Sequence, residues 1–70
     1  MLSIAIKIYN AISKYGSKAW AAIKAGASSV YNAAKAAWEA GYWAFTKWLA
    51  SNASALYAIY DALKAAGLID

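Results

Sequence analysis

The sequence predicts an all-α protein, a compact single-domain globule over residues 1–70 built from about five short amphipathic helices. Three observations predict it. Alanine is the commonest residue and proline is absent, which favours helix because Ala loses no side-chain entropy and nothing removes a backbone donor. Apolar residues recur at helical spacing along most of the chain. Gly16, Gly26, Gly41 and Gly67 each follow such a stretch and read as residues just past a helix end, where a left-handed conformation carries no Cβ penalty. The helices expected from this punctuation span 2–15, 18–25, 29–40, 42–50 and 54–66.

The first helix carries Ser3, Lys7, Asn10 and Lys14 on one narrow stripe and Ile4, Ile8, Ile12 and Tyr15 opposite. Ser17 and Ser28 stand near the expected starts of the second and third helices, and Ser51, Asn52 and Ser54 near the fifth. Their side-chain oxygens are expected to cap first-turn amides. In the third helix Ser28, Asn32, Lys35 and Glu39 align, leaving Val30, Ala34, Ala37 and Trp38 for the core. Lys35 and Glu39 are spaced for an i,i+4 pair, in the less favourable order. The fifth sets Ser54, Tyr57, Asp61 and Lys64 against Leu56, Ile59, Tyr60 and Leu63. The second and fourth helices are shorter than the roughly 12–15 residues at which an isolated helix is marginal in water, so packing must hold them. The fourth is aromatic on nearly every side. Phe45, Trp48 and Leu49 face inward, and Trp43 and Lys47 share an outer stripe.

Enzymatic chemistry has almost nothing to work with. The chain has no His and no Cys, so catalytic triads, thiolate nucleophiles and the usual zinc sites fail at the first step. Glu39 and Asp61 each have a local Lys that explains them as surface charges. The glycines are isolated rather than gathered into a phosphate loop. No enzyme activity, cofactor or small-molecule substrate is expected.

Charge and aromatics point elsewhere. The seven basic residues are all Lys, against three acids, for a net charge of +4. An anionic partner is expected, and the lack of Arg disfavours nucleic acid, because bidentate reading of guanine and phosphate is mainly arginine chemistry. Lys7, Lys14, Lys18 and Lys24 precede the first acid, Glu39, which leaves the N-terminal third an uncompensated positive field; Lys35 and Lys47 extend it. Each lysine alone is an ordinary solvated helix residue. Together they would draw the protein to anionic lipid. Four Trp and six Tyr are more than so small a core can hide, and such rings settle at headgroup level. Trp38 and Trp48 lie on apolar stripes and are read first as core, with membrane contact as their second use. Trp20 and Trp43 border lysines and are expected nearer the surface.

No segment reaches the about 20 apolar residues needed to span a bilayer, the longest uncharged run being the 13 residues 48–60. Lys7 and Lys14 interrupt the stretch where a signal peptide's apolar region would lie. Export by a dedicated transporter, or processing before this sequence begins, is the expectation.

The run Ile12-Ser13-Lys14-Tyr15-Gly16-Ser17-Lys18-Ala19, followed by Ala21, Ala22, Lys24 and Gly26, resembles the Lys-Tyr-Gly-x-Lys-Ala region of leaderless bacteriocins of the aureocin and lacticin type. The closing Lys64-Ala65-Ala66-Gly67-Leu68 is similar to the end of such peptides. The resemblance implies a saposin-like globule of four or five helices, secreted without a leader, which disrupts the membranes of Gram-positive bacteria. This chain is longer, less basic and richer in Tyr than typical members. Circular bacteriocins are an alternative, since joining Leu68-Ile69-Asp70 to Met1-Leu2-Ser3-Ile4 would continue a helical pattern.

The sequence therefore leads to a secreted antimicrobial protein whose partner is the anionic lipid of bacterial membranes. Lys7, Lys14, Lys18, Lys24, Lys35 and Lys47 supply attraction, Trp20, Trp38, Trp43 and Trp48 supply interfacial contact, and an oligomer could form in the membrane. The alternative is a non-enzymatic helical protein–protein interaction module, because exposed apolar patches mark protein interfaces as readily as membranes.

Overall fold

Five helices follow one another with almost no chain between them: α1 (Leu2–Tyr15), α2 (Ser17–Gly26), α3 (Ser28–Glu39), α4 (Tyr42–Ser51) and α5 (Ala53–Ala65). The computed structural model describes residues 2–69, with side chains from Ser3 onward. Gly16, Ala27 and Asn52 each form a whole connection, and α3 passes to α4 through Ala40 and Gly41. The expected helices are all present, each bound moved by no more than a residue or so.

The two most extensive pairings are α2 against α5 and α1 against α4, with α3 laid across α2 and α4. The molecule measures 24 × 22 × 21 Å, with a radius of gyration of 10.2 Å. A chain of this length is expected at about 11 Å. The tighter packing follows from alanine: Ala5, Ala11, Ala19, Ala34 and Ala55 are buried, and small side chains bring helix axes together.

The core is built from the stripes the periodicity marks. Ile8 and Ile12 of α1, Ile23 of α2, Phe45 and Leu49 of α4, and Leu56, Ile59 and Leu63 of α5 are essentially inaccessible. The polar stripe of α1, Ser3, Lys7, Asn10 and Lys14, is exposed throughout, as is that of α5. Among the described residues one polar residue joins the core. Thr46 is fully buried, and its hydroxyl donates to the Tyr42 and Trp43 carbonyls at 3.0 and 3.2 Å, so the group is satisfied inside its own helix.

Two local expectations are corrected. The serines do not cap: no cap side chain bonds a first-turn amide, and Gly16, Ala27, Gly41 and Asn52 occupy the cap positions. With one-residue connections, Ser17 and Ser28 are already inside the helices they were expected to precede. Asn52 turns its amide back and donates to the Trp48 carbonyl at 2.7 Å, closing α4 rather than opening α5. The glycines also divide. Gly16, Gly41 and Gly67 have positive φ, whereas Gly26 does not and remains helical. A Cβ on Gly26 would lie 2.7 Å from the Ala62 Cβ, so its small size serves the approach of α2 to α5.

The stop after α5 is also defined. The Leu68 amide donates to the Leu63 carbonyl at 2.9 Å and the Gly67 amide to the Lys64 carbonyl at 3.0 Å, the paired bonds of a Schellman stop. Met1 and Asp70, which a ring would connect, lie outside the described residues.

Candidate membrane-binding surface

The first turn of α4 carries the most exposed large apolar side chain of the described residues. Trp43 is 70% exposed, and Tyr42 beside it is 44% exposed. Their rings stack with centroids 6.4 Å apart and planes 14° apart. Lys47, one turn further along, is exposed as well. An apolar ring pair next to a flexible cation is a combination suited to a water–lipid boundary, where rings settle and an ammonium reaches headgroups.

This pair is anchored rather than loose. The Tyr42 ring meets Tyr9 edge-on at 4.6 Å, and Tyr9 lies 4.8 Å from Trp38. Trp38 continues inward to Phe45 at 5.2 Å and to Trp20 at 5.9 Å, both edge-on. Trp20 ends the series on Tyr31 at 5.8 Å, while Trp48 stacks on Phe45 at 6.4 Å. An unbroken aromatic network therefore runs from exposed Trp43 through the core to Tyr31. Edge-to-face pairs of this kind contribute about 0.5–1.5 kcal/mol each beyond the area they bury.

Trp20 departs from its expected place near the surface. It is only 8% exposed. Its neighbours along α2 are Lys24 and surface alanines, which is why the sequence placed it outside, but α3 crosses that face and covers it with Tyr31 and Trp38. Trp38 and Trp48 are half-buried. Among the four tryptophans, Trp43 alone is strongly exposed in the folded chain.

The lysines are spread over all five helices. Lys7, Lys14, Lys18, Lys24 and Lys47 are exposed, and Lys35 is half-buried. Rather than pairing with Glu39, Lys35 sets its Nζ 5.1 Å from the Trp20 ring centroid and 5.8 Å from that of Tyr31. Lys24 also approaches Tyr31, at 5.8 Å, and Lys14 lies over Tyr15 at 5.3 Å. Surface grooves run beside these lysines. One, of about 390 Å³, runs between α1 and the chain's end, with Lys7, Asn10 and Lys14 facing Gly67 and Leu68. The other, of about 620 Å³, lies over α2 and α3 between Lys24, Lys35, Ser13 and Ser17, with Trp20 and Tyr31 on its floor.

Sequence reasoning did not single out Tyr42 or Thr46. The adjacent Tyr-Trp following Gly41 was the available signal for the first, because a helix's opening turn has no preceding turn to cover it. Nothing in the local pattern distinguishes Thr46 from a solvated residue. No helix among the described residues is long and apolar enough to cross a membrane. Compared with known proteins, the chain matches no family model, no curated protein and no solved structure.

Proposed function

We propose that this protein is a secreted antimicrobial protein that binds anionic bacterial membranes, chiefly of Gram-positive cells, and permeabilises them. The observation that carries the reading is Trp43, a large ring left 70% exposed by a fold that buries most of its other apolar side chains. Keeping such a ring in water has a cost that burial at an interface removes. Tyr42 stacked on it and Lys47 beside it extend the same surface.

Attraction comes first and insertion second. A net charge of +4 with lysines on every helix draws the chain to an anionic leaflet, at about 1 kcal/mol per Lys close to the surface. Trp43 and Tyr42 then enter the headgroup region, and the globule rearranges to present its interior to acyl chains. A 70-residue chain without disulfides has a thin stability margin, which keeps the cost of that rearrangement modest.

Dye release tests the reading. The protein should empty phosphatidylglycerol vesicles at low salt, leave phosphatidylcholine vesicles largely intact, and inhibit growth of a Gram-positive panel at similar concentrations. Absence of both binding and leakage with anionic vesicles would overturn it. The same exposed rings suit a protein partner, and concentration-dependent self-association or a stable complex, with indifference to lipid, would favour that reading instead.

A further inference from the structure

The seam between α2 and α3 is closed by a reciprocal pair of contacts. Lys24 of α2 lays its ammonium over the Tyr31 ring of α3, and Lys35 of α3 lays its own over the Trp20 ring of α2. Beneath them Trp20 meets Tyr31 and Trp38 edge-on. Each helix thus clasps a ring of the other with a cation.

Such a clasp is sensitive to anions. A ring holds a cation through its quadrupole, whereas a phosphate offers a full opposite charge, so an ammonium given the choice leaves the ring. The groove above the seam has no carboxylate among the described residues lining it. Nothing there competes with an incoming anion.

α3 is also the helix with the least interior hold. Ala34 is its one buried residue, whereas α2 buries Ala19, Trp20 and Ile23, and α5 buries Leu56, Ile59 and Leu63 among others. Its main neighbours are α2 and α4. At one end it joins α2 through Ala27 alone, and at the other it joins α4 through Ala40 and Gly41. Its half-buried rings, Tyr31 and Trp38, cover Trp20. By contrast the α2–α5 contact at Gly26 and Ala62 is so close that an added Cβ would force the helices to shift.

We infer that the α2–α3 seam is the one that opens at an anionic membrane: Lys24 and Lys35 exchange the Tyr31 and Trp20 rings for lipid phosphates, α3 swings out about its two ends, and Trp20 enters the interface after Trp43. The inference rests on the membrane reading above and adds which part of the fold moves. It gives the buried Trp20 a role that its place in the folded chain conceals. The α2–α5 pair stays closed and acts as the body from which α3 departs.

The test uses the full chain with 5-fluorotryptophan at its four tryptophans, each fluorine resonance assigned by one Trp→Phe variant. Spectra are recorded on phosphatidylglycerol bilayer discs with and without nitroxide labels on the acyl chains, and on phosphatidylcholine discs as the control. The expected result is broadening of both Trp43 and Trp20 by the labelled anionic lipid, with Trp20 retaining its solution shift on phosphatidylcholine. Hydrogen exchange on the anionic discs should speed up in α3 while the amides of residues 55–63 in α5 stay slow. Broadening of Trp43 with Trp20 unchanged, alongside vesicle leakage, overturns the seam and leaves the membrane reading standing. Equal acceleration in α3 and α5 also overturns it, because the whole globule would then be unfolding. If neither ring is broadened and no vesicle leaks, the membrane reading fails and takes the inference with it.

Discussion

Gly26 and Ala62 bring α2 and α5 into backbone contact: a Cβ built on Gly26 would lie 2.7 Å from the Ala62 Cβ and 3.1 Å from its Cα. Two opposing effects decide what Gly26→Ala does. Gly26 is helical without positive φ, so helix propensity alone would favour Ala by about 1 kcal/mol. The close approach works the other way, since overpacking a tight contact costs typically about 1–3 kcal/mol and the Ala62 Cα is backbone that cannot rotate aside. The contact should win. Thermal unfolding of Gly26→Ala is expected to fall by several degrees, on the scale of about 4–8 °C per kcal/mol for a domain of this size. Adding Ala62→Gly should recover part of the loss, and a Gly26→Ala variant more stable than the parent would contradict the geometry.

Gly26 also marks where the sequence stopped being legible. Helix spans and buried stripes follow from spacing alone, because a residue's face on a helix is fixed by its neighbours three and four positions away. What lies across that face is not local information. Gly26 looks like a helix stop until α5 is placed against it, and Trp20 looks exposed beside Lys24 until α3 crosses it. Ser17 and Ser28 read as caps because the pattern does not show that the connections are one residue long. Of the candidate surface, Trp43 and Lys47 were readable, since both lie on the outer stripe of α4 and are exposed. The clasp of Lys24 and Lys35 was not, as it joins rings on different helices.

Thr46 separates the value of a hydroxyl from that of a filled space. Its side chain is wholly buried, and its hydroxyl bonds only carbonyls of its own helix. Those carbonyls retain their helical amide partners when the hydroxyl is removed, so no orphaned group remains. Thr46→Val keeps the volume and should change stability by less than about 1 kcal/mol. Thr46→Ala opens a cavity and should cost about 1 kcal/mol more than Thr46→Val. Urea denaturation of the pair checks this, and a loss for Thr46→Val as large as that for Thr46→Ala would show that the hydroxyl matters more than the space.

The stop at the end of α5 gives a third expectation. Gly67 holds φ +75 while its amide and that of Leu68 close on Lys64 and Leu63, and Leu68 packs against the core. A left-handed backbone costs an L-residue roughly 1–2 kcal/mol. Gly67→Ala should lose about that much, and Gly67→Asn less, since Asn tolerates the conformation better. Because nothing lies within 4 Å of an added Cβ, any penalty reads as backbone strain rather than crowding. Equal melting temperatures for Ala and Gly at this position would mean that the end of the chain does not hold its turn in solution.

Attraction to an anionic leaflet should show as salt dependence. Screening shortens the reach of surface charge to about 8 Å at physiological ionic strength and about 3 Å at 1 M. Binding to phosphatidylglycerol vesicles should therefore weaken steeply as sodium chloride rises, while thermal stability stays nearly level because the core is apolar. Lys7→Gln/Lys14→Gln, on the exposed face of α1, should weaken binding at low salt by about tenfold or more, at about 1 kcal/mol per lysine near the surface. The double variant and the parent should converge at high salt. Salt-independent binding would assign the attraction to the rings instead.

Trp43 and Trp20 make the sharpest contrast, because the same residue type stands at opposite extremes of exposure, 70% against 8%. Trp43→Ala removes a ring that contributes little to the core, so stability should move by no more than about 0.5 kcal/mol. Trp20→Ala removes the ring against which Tyr31, Trp38 and Lys35 pack, and truncation of a buried Trp costs about 3–5 kcal/mol, a large part of the margin of so small a domain. The order reverses for initial lipid contact. Vesicle binding by Trp43→Ala should fall by about tenfold or more, since burying a large apolar side chain is worth roughly 1.5–3 kcal/mol and each 1.4 kcal/mol is about tenfold in affinity. Circular dichroism melts and vesicle sedimentation on the two variants read the two axes separately. A folded Trp43→Ala that binds vesicles as well as the parent would remove Trp43 from the contact surface and leave the attraction to the lysines and Tyr42.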